Sequence, residues 1–193
     1  MDSVSYALGI MLSQNLKSQG FDEVNADEMA KGFAEGLAGN AKMDVAAANA
    51  QIQAYMQKKQ EAASAGARKA GEDFLAENGK RPEVKTTDSG LQYEVLREGT
   101  GASPTATETV EVHYHGTLID GTVFDSSVDR GQTIEFPLNR VIPGWTEGVQ
   151  LMKEGAKYRF FIPWNLAYGA QGSPPKIPGY AALIFDVELF KVK

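Results

Sequence analysis

The stretch TVEVHYHGTLIDGTVFD, residues 109–125, decides the fold of the second half of the chain. Apolar and polar side chains alternate on both sides of Asp120-Gly121, a dipeptide typical of the tight turn between two antiparallel strands. The segment therefore predicts a β-hairpin. Because residues two apart share a face of a strand, Val112 and Tyr114 are expected on the face opposite His113.

Further strands are predicted on both sides of this hairpin. They are LQYEVLR (91–97), QTIEF (132–136), KYRFFIP (157–163) and AALIFDVELFKVK (181–193). Between them, PGWTEGVQLM (143–152) predicts one short helix with Trp145, Val149 and Met152 on a single face. The second half is thus predicted to be a strongly curved antiparallel sheet with a short helix against its concave face.

The first half is rich in alanine and predicts three helices, so the fold class of the whole chain is α+β. Asp2 or Ser3 is the expected N-cap of the first helix, and Asn25 that of the second. The third is expected to run from near Asp44 to about Asn78, roughly 50 Å. Since its middle is mostly Ala, Lys, Gln and Glu, we expect an exposed stalk.

Three parts follow from this pattern: a helical dimerisation domain at 1–43, a long connecting helix at 44–80 and a β-rich domain at 81–193. NGKRPEVKTTDSG (78–90) is polar and is predicted to be a helix stop and linker. Residues 1–56 are too few for a comfortable core, and there is no cysteine to cross-link them. We therefore expect a homodimer through these residues. A monomeric three-helix subdomain packed on the second half is the alternative.

Charge and composition exclude several classes of protein. The 19 basic and 25 acidic residues give a net charge of -6, which argues against a nucleic-acid-binding protein. No apolar run approaches the ~20 residues of a membrane span. MDSVSYALGI lacks the features of a secretory signal, so we expect the chain as written in the cytoplasm, or in the periplasm if a signal peptide has been removed.

Two histidines raise the question of a metal. Glu111, His113 and His115 share one strand face and have the ligand types of a divalent metal site, as a metal-delivery protein would need. The alternative is a solvated strand face opposite an apolar one, which is the interpretation we adopt, and we predict neither metal nor cofactor. The sequence has no G-x-S-x-G, phosphate-binding or dinucleotide-binding motif.

Aromatic side chains are the stronger indication of a site. They occur in separate strands and turns of the second half: Tyr114, Phe124, Phe136, Trp145, Tyr168 and Phe185. Their periodicity alone is that of core residues. A concave apolar pocket with a few polar groups is the other interpretation, because buried Trp and Tyr need partners for their polar ends.

Four ordered motifs resemble those of the FKBP-type peptidyl-prolyl cis–trans isomerases. They are VHYHGTLIDGTVFDSS (112–127), VIPGWTEGVQLM (141–152), LAYGAQG (166–172) and LIFDVELFKV (183–192). The helical segments SYALGIMLSQNLKSQG (5–20) and MAKGFAEGLAG (29–39) resemble the macrophage infectivity potentiator subgroup. That subgroup implies an intertwined homodimer whose long third helices carry the catalytic domains, here 81–193.

The resemblance also implies a set of site residues. Trp145 would lie under the proline ring, and Asp125 and Tyr168 would face the substrate carbonyl, as the catalytic group. The substrate-binding group would be Tyr114, Phe124, Arg130, Ile134, Phe136, Val141, Ile142, Ile177 and Phe185. Arg130 would pair with Asp125 or hold Tyr114. Ile134 stands where the family often has an aromatic residue, IPGY (177–180) departs from the commoner Ile-Pro-Pro-Asn or -His, and Ser173 and Lys176 lie in a loop that is often more apolar.

Such an enzyme would act on X–Pro bonds in proline-containing polypeptides and unfolded client proteins, and macrolides are its expected inhibitors. The alternative is a non-catalytic holdase or partner-docking module with the same fold. Intact Trp145, Asp125, Tyr168 and Phe185 favour the enzyme, and we adopt a prolyl isomerase that assists folding while its helical part dimerises and holds clients.

Overall fold

The computed structural model describes residues 2–21 and 23–193. Its first three helices are α1 (Ser3–Ser18), α2 (Ala26–Leu37) and α3 (Val45–Asn78). Asp2 is the N-cap of α1, with its side chain accepting a hydrogen bond from the amide of Val4 at 3.1 Å. Asn25 accepts from two amides at the start of α2, and Asp44 accepts from Ala47 N at 2.7 Å. Of the two predicted caps of α1, Asp2 is therefore the one used.

The described chain separates into two compact units, one ending at Lys58 and the other Lys59–Lys193. In the first, α1 and α2 are described throughout and contain no buried residue. The rings of Phe21 and Tyr55 stack there with centroids 6.0 Å apart. No helix in the described residues is long and apolar enough to cross a bilayer.

The described part of the second unit is built on one antiparallel sheet. Its strands are β1 (Val84–Thr86), β2 (Gln92–Arg97), β3 (Thr109–Leu118), β4 (Val123–Ser126), β5 (Ile134–Pro137), β6 (Lys157–Ile162) and β7 (Leu183–Val192). Their order is β1-β2-β6-β7-β3-β4, and β5 also pairs with β3. The predicted hairpin is present as β3 and β4, with Gly121 in the turn at φ +88°.

Strand β7 shows how the alternating pattern builds the core. Leu183, Phe185, Val187 and Leu189 are buried, and the residues between them are half-buried. Because β7 pairs with β6 on one side and β3 on the other, it is a central strand of the sheet, and its buried side chains lie in the middle of the core. The alternation predicted for this strand is confirmed.

The short helix α4 (Pro143–Gln150) packs directly on the sheet. A Cβ on Gly144 would lie 2.5 Å from Ile162 Cγ2, and one on Gly148 would lie 2.7 Å from Phe160 Cε1. Both glycines therefore allow the helix backbone to approach β6. This places Trp145, which lies beside them on α4, against the aromatic residues of β3 and β7, and the predicted helix on the concave face is confirmed.

Helix α3 ends at Asn78, so the helix stop predicted for 78–90 is confirmed, but the prediction that the rest of this segment is a linker is wrong. The segment contains β1, which pairs with β2, and Val84 is buried. Arg81 Nη2 donates to Glu94 Oε2 at 2.9 Å, and buried Asn78 Nδ2 donates to Gln92 Oε1 at 2.8 Å. The polar side chains of this segment have partners on β2, so local polarity did not indicate exposure.

The last turns of α3 belong to the second compact unit. Side chains between residues 57 and 70 are mostly exposed, as predicted for a stalk. Beyond them, Gly71 is buried against Ala182, and the rings of Phe74 and Phe161 lie 5.9 Å apart. The compact unit thus begins at Lys59, inside the helix that the sequence assigned to a separate part at 44–80.

Candidate active site

An open cavity of about 920 Å³ lies between α4, the curved sheet and the chain that precedes β7. It brings together all twelve residues that the resemblance implied: Tyr114, Phe124, Asp125, Arg130, Ile134, Phe136, Val141, Ile142, Trp145, Tyr168, Ile177 and Phe185. These residues come from segments up to 71 positions apart in sequence (185 minus 114). Folding of the whole sheet is therefore needed to form the cavity.

Trp145 lines the cavity, with 4% of its surface exposed. Its ring meets those of Phe185, Tyr114 and Phe136 at centroid distances of 5.3, 5.4 and 5.7 Å, all nearly perpendicular. This edge-to-face arrangement is the one aromatic quadrupoles favour, and it fixes the indole face. Within the described chain, the indole Nε1 is buried without a hydrogen-bond partner.

Asp125, Tyr114 and Arg130 form a hydrogen-bonded group at one side of the cavity. Tyr114 Oη and Arg130 Nη1 both donate to the Asp125 carboxylate, and Arg130 Nη2 donates to Tyr114 Oη at 2.9 Å. Arg130 thus makes both of the contacts that the sequence offered as alternatives. The Ser126 amide donates to Asp125 Oδ1 at 2.9 Å. Two side chains and one backbone amide therefore fix the orientation of this carboxylate.

The charges in this group follow from these contacts. Burial on its own raises the pKa of Asp125, but hydrogen bonds from Tyr114 and Arg130 outweigh it and hold the pKa below the ordinary 3.8. Burial, followed by the hydrogen bond to Asp125, raises the pKa of Tyr114. At neutral pH the group consists of a carboxylate, a phenol and a guanidinium.

Tyr168 is the second polar group of the cavity. It is 40% exposed, and its hydroxyl has no hydrogen-bond partner among the described residues. Burial of the hydroxyl and the negative charge of Asp125 raise the pKa of Tyr168. The hydroxyl is therefore protonated at neutral pH and free to donate a hydrogen bond.

The structure adds cavity residues that the sequence did not assign to the site. They are Arg140 and four members of the loop that follows Tyr168: Ser173, Pro174, Pro175 and Lys176. We call residues 167–179 the rim loop. Ser173 and Ile177 exchange backbone hydrogen bonds of 2.8 and 3.0 Å, and Lys176 Nζ donates to Phe124 O at 2.9 Å. The signal in the sequence was the turn-forming GSPP segment, which says nothing about the cavity it faces.

The three candidate metal ligands on β3 all have protein partners. Nδ1 of His113 lies 3.0 Å from Ser127 Oγ, and Nδ1 of His115 lies 2.9 Å from Ser126 Oγ. Glu111 accepts from Thr133 at 3.0 Å and pairs with a lysine. Across residues 2–21 and 23–193, no group of three or more potential ligands could hold a metal ion.

Comparison with known proteins agrees with this geometry. Residues 101–190 match the family model of the FKBP-type peptidyl-prolyl cis-trans isomerase, and residues 1–95 match the domain amino-terminal to that isomerase. The FKBP-type isomerase FkpA of Aeromonas hydrophila is 46% identical over 99% of this chain and 74% of its own. The FKBP-type 22 kDa isomerase of Escherichia coli is 41% identical over 97% of this chain and 93% of its own.

A solved structure supports the same assignment over both halves of the chain. The crystal structure of FkpA from Escherichia coli superposes with a TM-score of 0.73 at 36% identity, covering 99% of this chain and 93% of that one. Fold, cavity and sequence relationship all lead to one conclusion. The chain belongs to the FKBP-type peptidyl-prolyl cis–trans isomerases, enzymes that accelerate rotation about X–Pro bonds.

Proposed function

We propose that the cavity above Trp145 is the isomerase site and that it acts by binding the half-rotated X–Pro imide better than the planar one. The observation that supports this most directly is the open apolar hollow with an unpartnered Tyr168 hydroxyl beside a fixed Asp125 carboxylate. Family membership favours catalysis over the non-catalytic alternative.

The physical problem is the resonance of the amide. Rotation breaks the partial double bond and meets a barrier of about 18–20 kcal/mol. No covalent bond need form, because preferential binding of the twisted state is enough to lower the barrier. A proline ring placed against Trp145 and the phenylalanine walls removes water from the carbonyl. Since the planar amide is the more polar form, desolvation destabilises it more than the twisted form.

The polar groups then act on the rotating carbonyl. In the proposed arrangement the Tyr168 hydroxyl lies where the carbonyl oxygen arrives only after rotation, so its hydrogen bond forms in the twisted state and not in the planar one. Asp125 faces the same region as a fixed negative charge that Arg130 and Tyr114 keep in place. Neither group gives up or gains a proton during rotation.

Tyr168→Phe tests this arrangement, because it removes the hydroxyl and keeps the ring. We expect kcat/KM on a short proline peptide to fall about ten-fold, the factor that 1.4 kcal/mol of transition-state stabilisation represents. The melting temperature should stay unchanged. Tyr6→Phe on α1, 62% exposed in the first unit, is the matched control. Equal turnover in both variants would contradict the role given to Tyr168.

We also propose that residues 1–56 form a homodimer and that the helical part holds unfolded client polypeptides. In support, α1 and α2 leave large apolar side chains exposed, among them Met11 at 71% and Leu37 at 77%. Exposed apolar surface of this extent indicates an interaction site. The monomeric subdomain would leave the mass in solution at that of one chain.

Refolding assays separate client holding from catalysis. Residues 59–193 form a compact unit and should isomerise short peptides at the full rate. They should accelerate refolding of a proline-limited protein less than the full chain does. Equal refolding rates would remove the client-holding role from the helices.

Other expectations remain predictions. Limited proteolysis would test the division at 43 and 80, competition with a macrolide would test inhibitor binding, and cell fractionation would separate the cytoplasm from the periplasm.

A further inference from the structure

The rim loop carries two residues of the site, Tyr168 and Ile177, between two aromatic ends. Trp164 precedes the loop and Tyr180 follows it, and their rings lie 5.0 Å apart at 71°. Two backbone hydrogen bonds of 2.9 Å connect the ends through Gly169, whose amide donates to Trp164 O and whose carbonyl accepts from Tyr180 N. The two rings therefore close the base of the loop.

Arg68 on α3 lies over both of these rings. Its guanidinium carbon is 5.7 Å from the centroid of Trp164 and 5.4 Å from that of Tyr180, within the range of cation–π attraction. Arg68 Nε donates to Glu72 Oε1, one turn further along the helix, at 3.0 Å. The guanidinium is thus held from the helix side and lies over the two rings at the base of the loop.

The helix around Arg68 is close enough to be a firm support. A Cβ on Gly71, three residues on, would lie only 3.0 Å from Ala182 Cβ, immediately before β7. Ala67 packs against the core cluster of the second unit. Lys59–Lys193 are one compact unit, so all of these contacts lie within it.

The backbone of Tyr180 also depends on its surroundings. It has φ +61°, a region that residues with a Cβ rarely adopt, and bulky residues least of all. Such a conformation persists where neighbouring contacts impose it. The contacts of Tyr180 include the ring of Trp164, the guanidinium of Arg68 and the hydrogen bond from its amide to Gly169 O.

We propose that Arg68 is a positioning residue of the isomerase, holding Trp164 and Tyr180 together so that the rim loop keeps Tyr168 and Ile177 in the cavity. It rests on the proposed role of Tyr168. Arg68 lies before the residues that match the catalytic family model, 101–190, so helix α3 contributes to the site from outside that region.

The test measures kcat and KM on a short proline peptide for full-length Arg68→Ala, Arg68→Lys and Lys69→Ala. Lys69 is the matched control, because it also makes an i,i+4 ion pair on α3, with Asp73 at 2.6 Å, and is 79% exposed. We expect Arg68→Ala to lower kcat about three- to five-fold, the factor for an exposed cation–π contact, with KM little changed. Arg68→Lys should recover at least half of the loss.

Coupling to Tyr168 separates positioning from a merely structural role. If Arg68 acts through that hydroxyl, adding Arg68→Ala to Tyr168→Phe should lower kcat by less than two-fold further. The proposal would be overturned if the double variant lost kcat by the full product of the two single losses. Equal activity of Arg68→Ala and Lys69→Ala would also overturn it.

Tyr180→Leu provides a second variant if Arg68→Ala does not fold. It removes the other ring and should show the same loss of kcat, so wild-type kcat in Tyr180→Leu would also overturn the proposal. Full activity of Tyr168→Phe would instead contradict the role proposed for that hydroxyl, and that result is independent of any change at Arg68.

Discussion

The two compact units place the same kind of side chain in opposite environments. Leu37 on α2 is 77% exposed, whereas Leu189 on β7 is completely buried. Burial of a leucine side chain contributes about 1.5–3 kcal/mol to the free energy of unfolding. The second unit obtains this stabilisation from contacts within its own chain, whereas Leu37 in the first unit does not. Both residues belong to regular apolar patterns. The difference shows that a pattern identifies the face to be buried without identifying what covers it.

The largest expected effect comes from charging the exposed face of α2. Phe33 and Leu37 are four residues apart, on one side of the helix. Phe33→Glu with Leu37→Glu should raise the dimer dissociation constant by at least ~1000-fold, about 4 kcal/mol, because two apolar contacts are lost and two charges lose water. Light scattering over a dilution series measures this constant.

The matched control is Lys31→Gln on the same helix, which leaves the apolar residues in place. Peptide isomerase activity per chain should be the same in both variants, since the cavity lies in the other unit. A double variant that stays dimeric at micromolar concentration would assign the dimer contact elsewhere, and a monomeric wild type would favour the three-helix subdomain.

The second effect concerns packing within the sheet unit. Gly148→Ala places a methyl group against the ring of Phe160, where an overpacked core typically loses 1–3 kcal/mol of unfolding free energy. Gly66→Ala is the control, because a Cβ there has nothing within 4 Å and alanine favours the helix by about 1 kcal/mol. Calorimetry should show opposite shifts of the melting temperature. A shift in the same direction would contradict the close approach of α4.

A smaller effect is expected from pH. Because the pKa of Tyr168 is raised above the ordinary 10.0, kcat/KM should stay level through neutral pH and fall only above about pH 10. Because the pKa of Asp125 is lowered below 3.8, its folded-state contribution to stability is present above about pH 4 and is lost as pH falls through the folded pKa.

Peptide assays across pH 3–11 measure the alkaline fall in kcat/KM, and thermal unfolding over the same range measures the loss of stability at acid pH. Tyr168→Phe should remove the alkaline limb, and Asp125→Asn should remove the contribution of this carboxylate at the acid end. An activity that titrates near pH 7 would contradict both assignments.

The smallest effect, none, is expected from zinc. His113 and His115 are hydrogen-bonded to serines and Glu111 to Thr133, so a metal would have to break these contacts before binding. Calorimetric titration should show no stoichiometric uptake at micromolar zinc, and the imidazole NMR signals should not move. Tight 1:1 uptake would restore the metal hypothesis for β3.

Much of the architecture could be predicted because it depends on local pattern. The alternation in β7, the turn at Gly121 and the caps Asp2 and Asn25 are encoded within a few residues each. The cavity residues came from sequence motifs of a family, since periodicity alone could not distinguish a core aromatic such as Phe160 from a cavity aromatic such as Phe185.

What could not be predicted depends on partners distant in sequence. Arg81 pairs with Glu94 on β2, 13 positions away. This contact helps to join the polar segment 78–90 to the sheet, where a linker had been predicted. Lys176 reaches Phe124 O across 52 positions. Arg68 lies over the rings of Trp164 and Tyr180, 96 and 112 positions later. Polar side chains carry no periodic signal for such contacts, and only the folded sheet brings them together.

The hydrogen bonds that hold the Asp125 carboxylate also bear on whether the enzyme favours the cis or the trans isomer. The charges of this site are the same before and after each rotation of an X–Pro bond, so the enzyme supplies no free energy to the reaction. It must therefore speed the cis-to-trans and trans-to-cis passages by the same factor and leave their ratio in free peptide as it was. In a folding protein, the native contacts of that protein determine the final isomer. They stabilise either the cis or the trans form and so shift the equilibrium towards it.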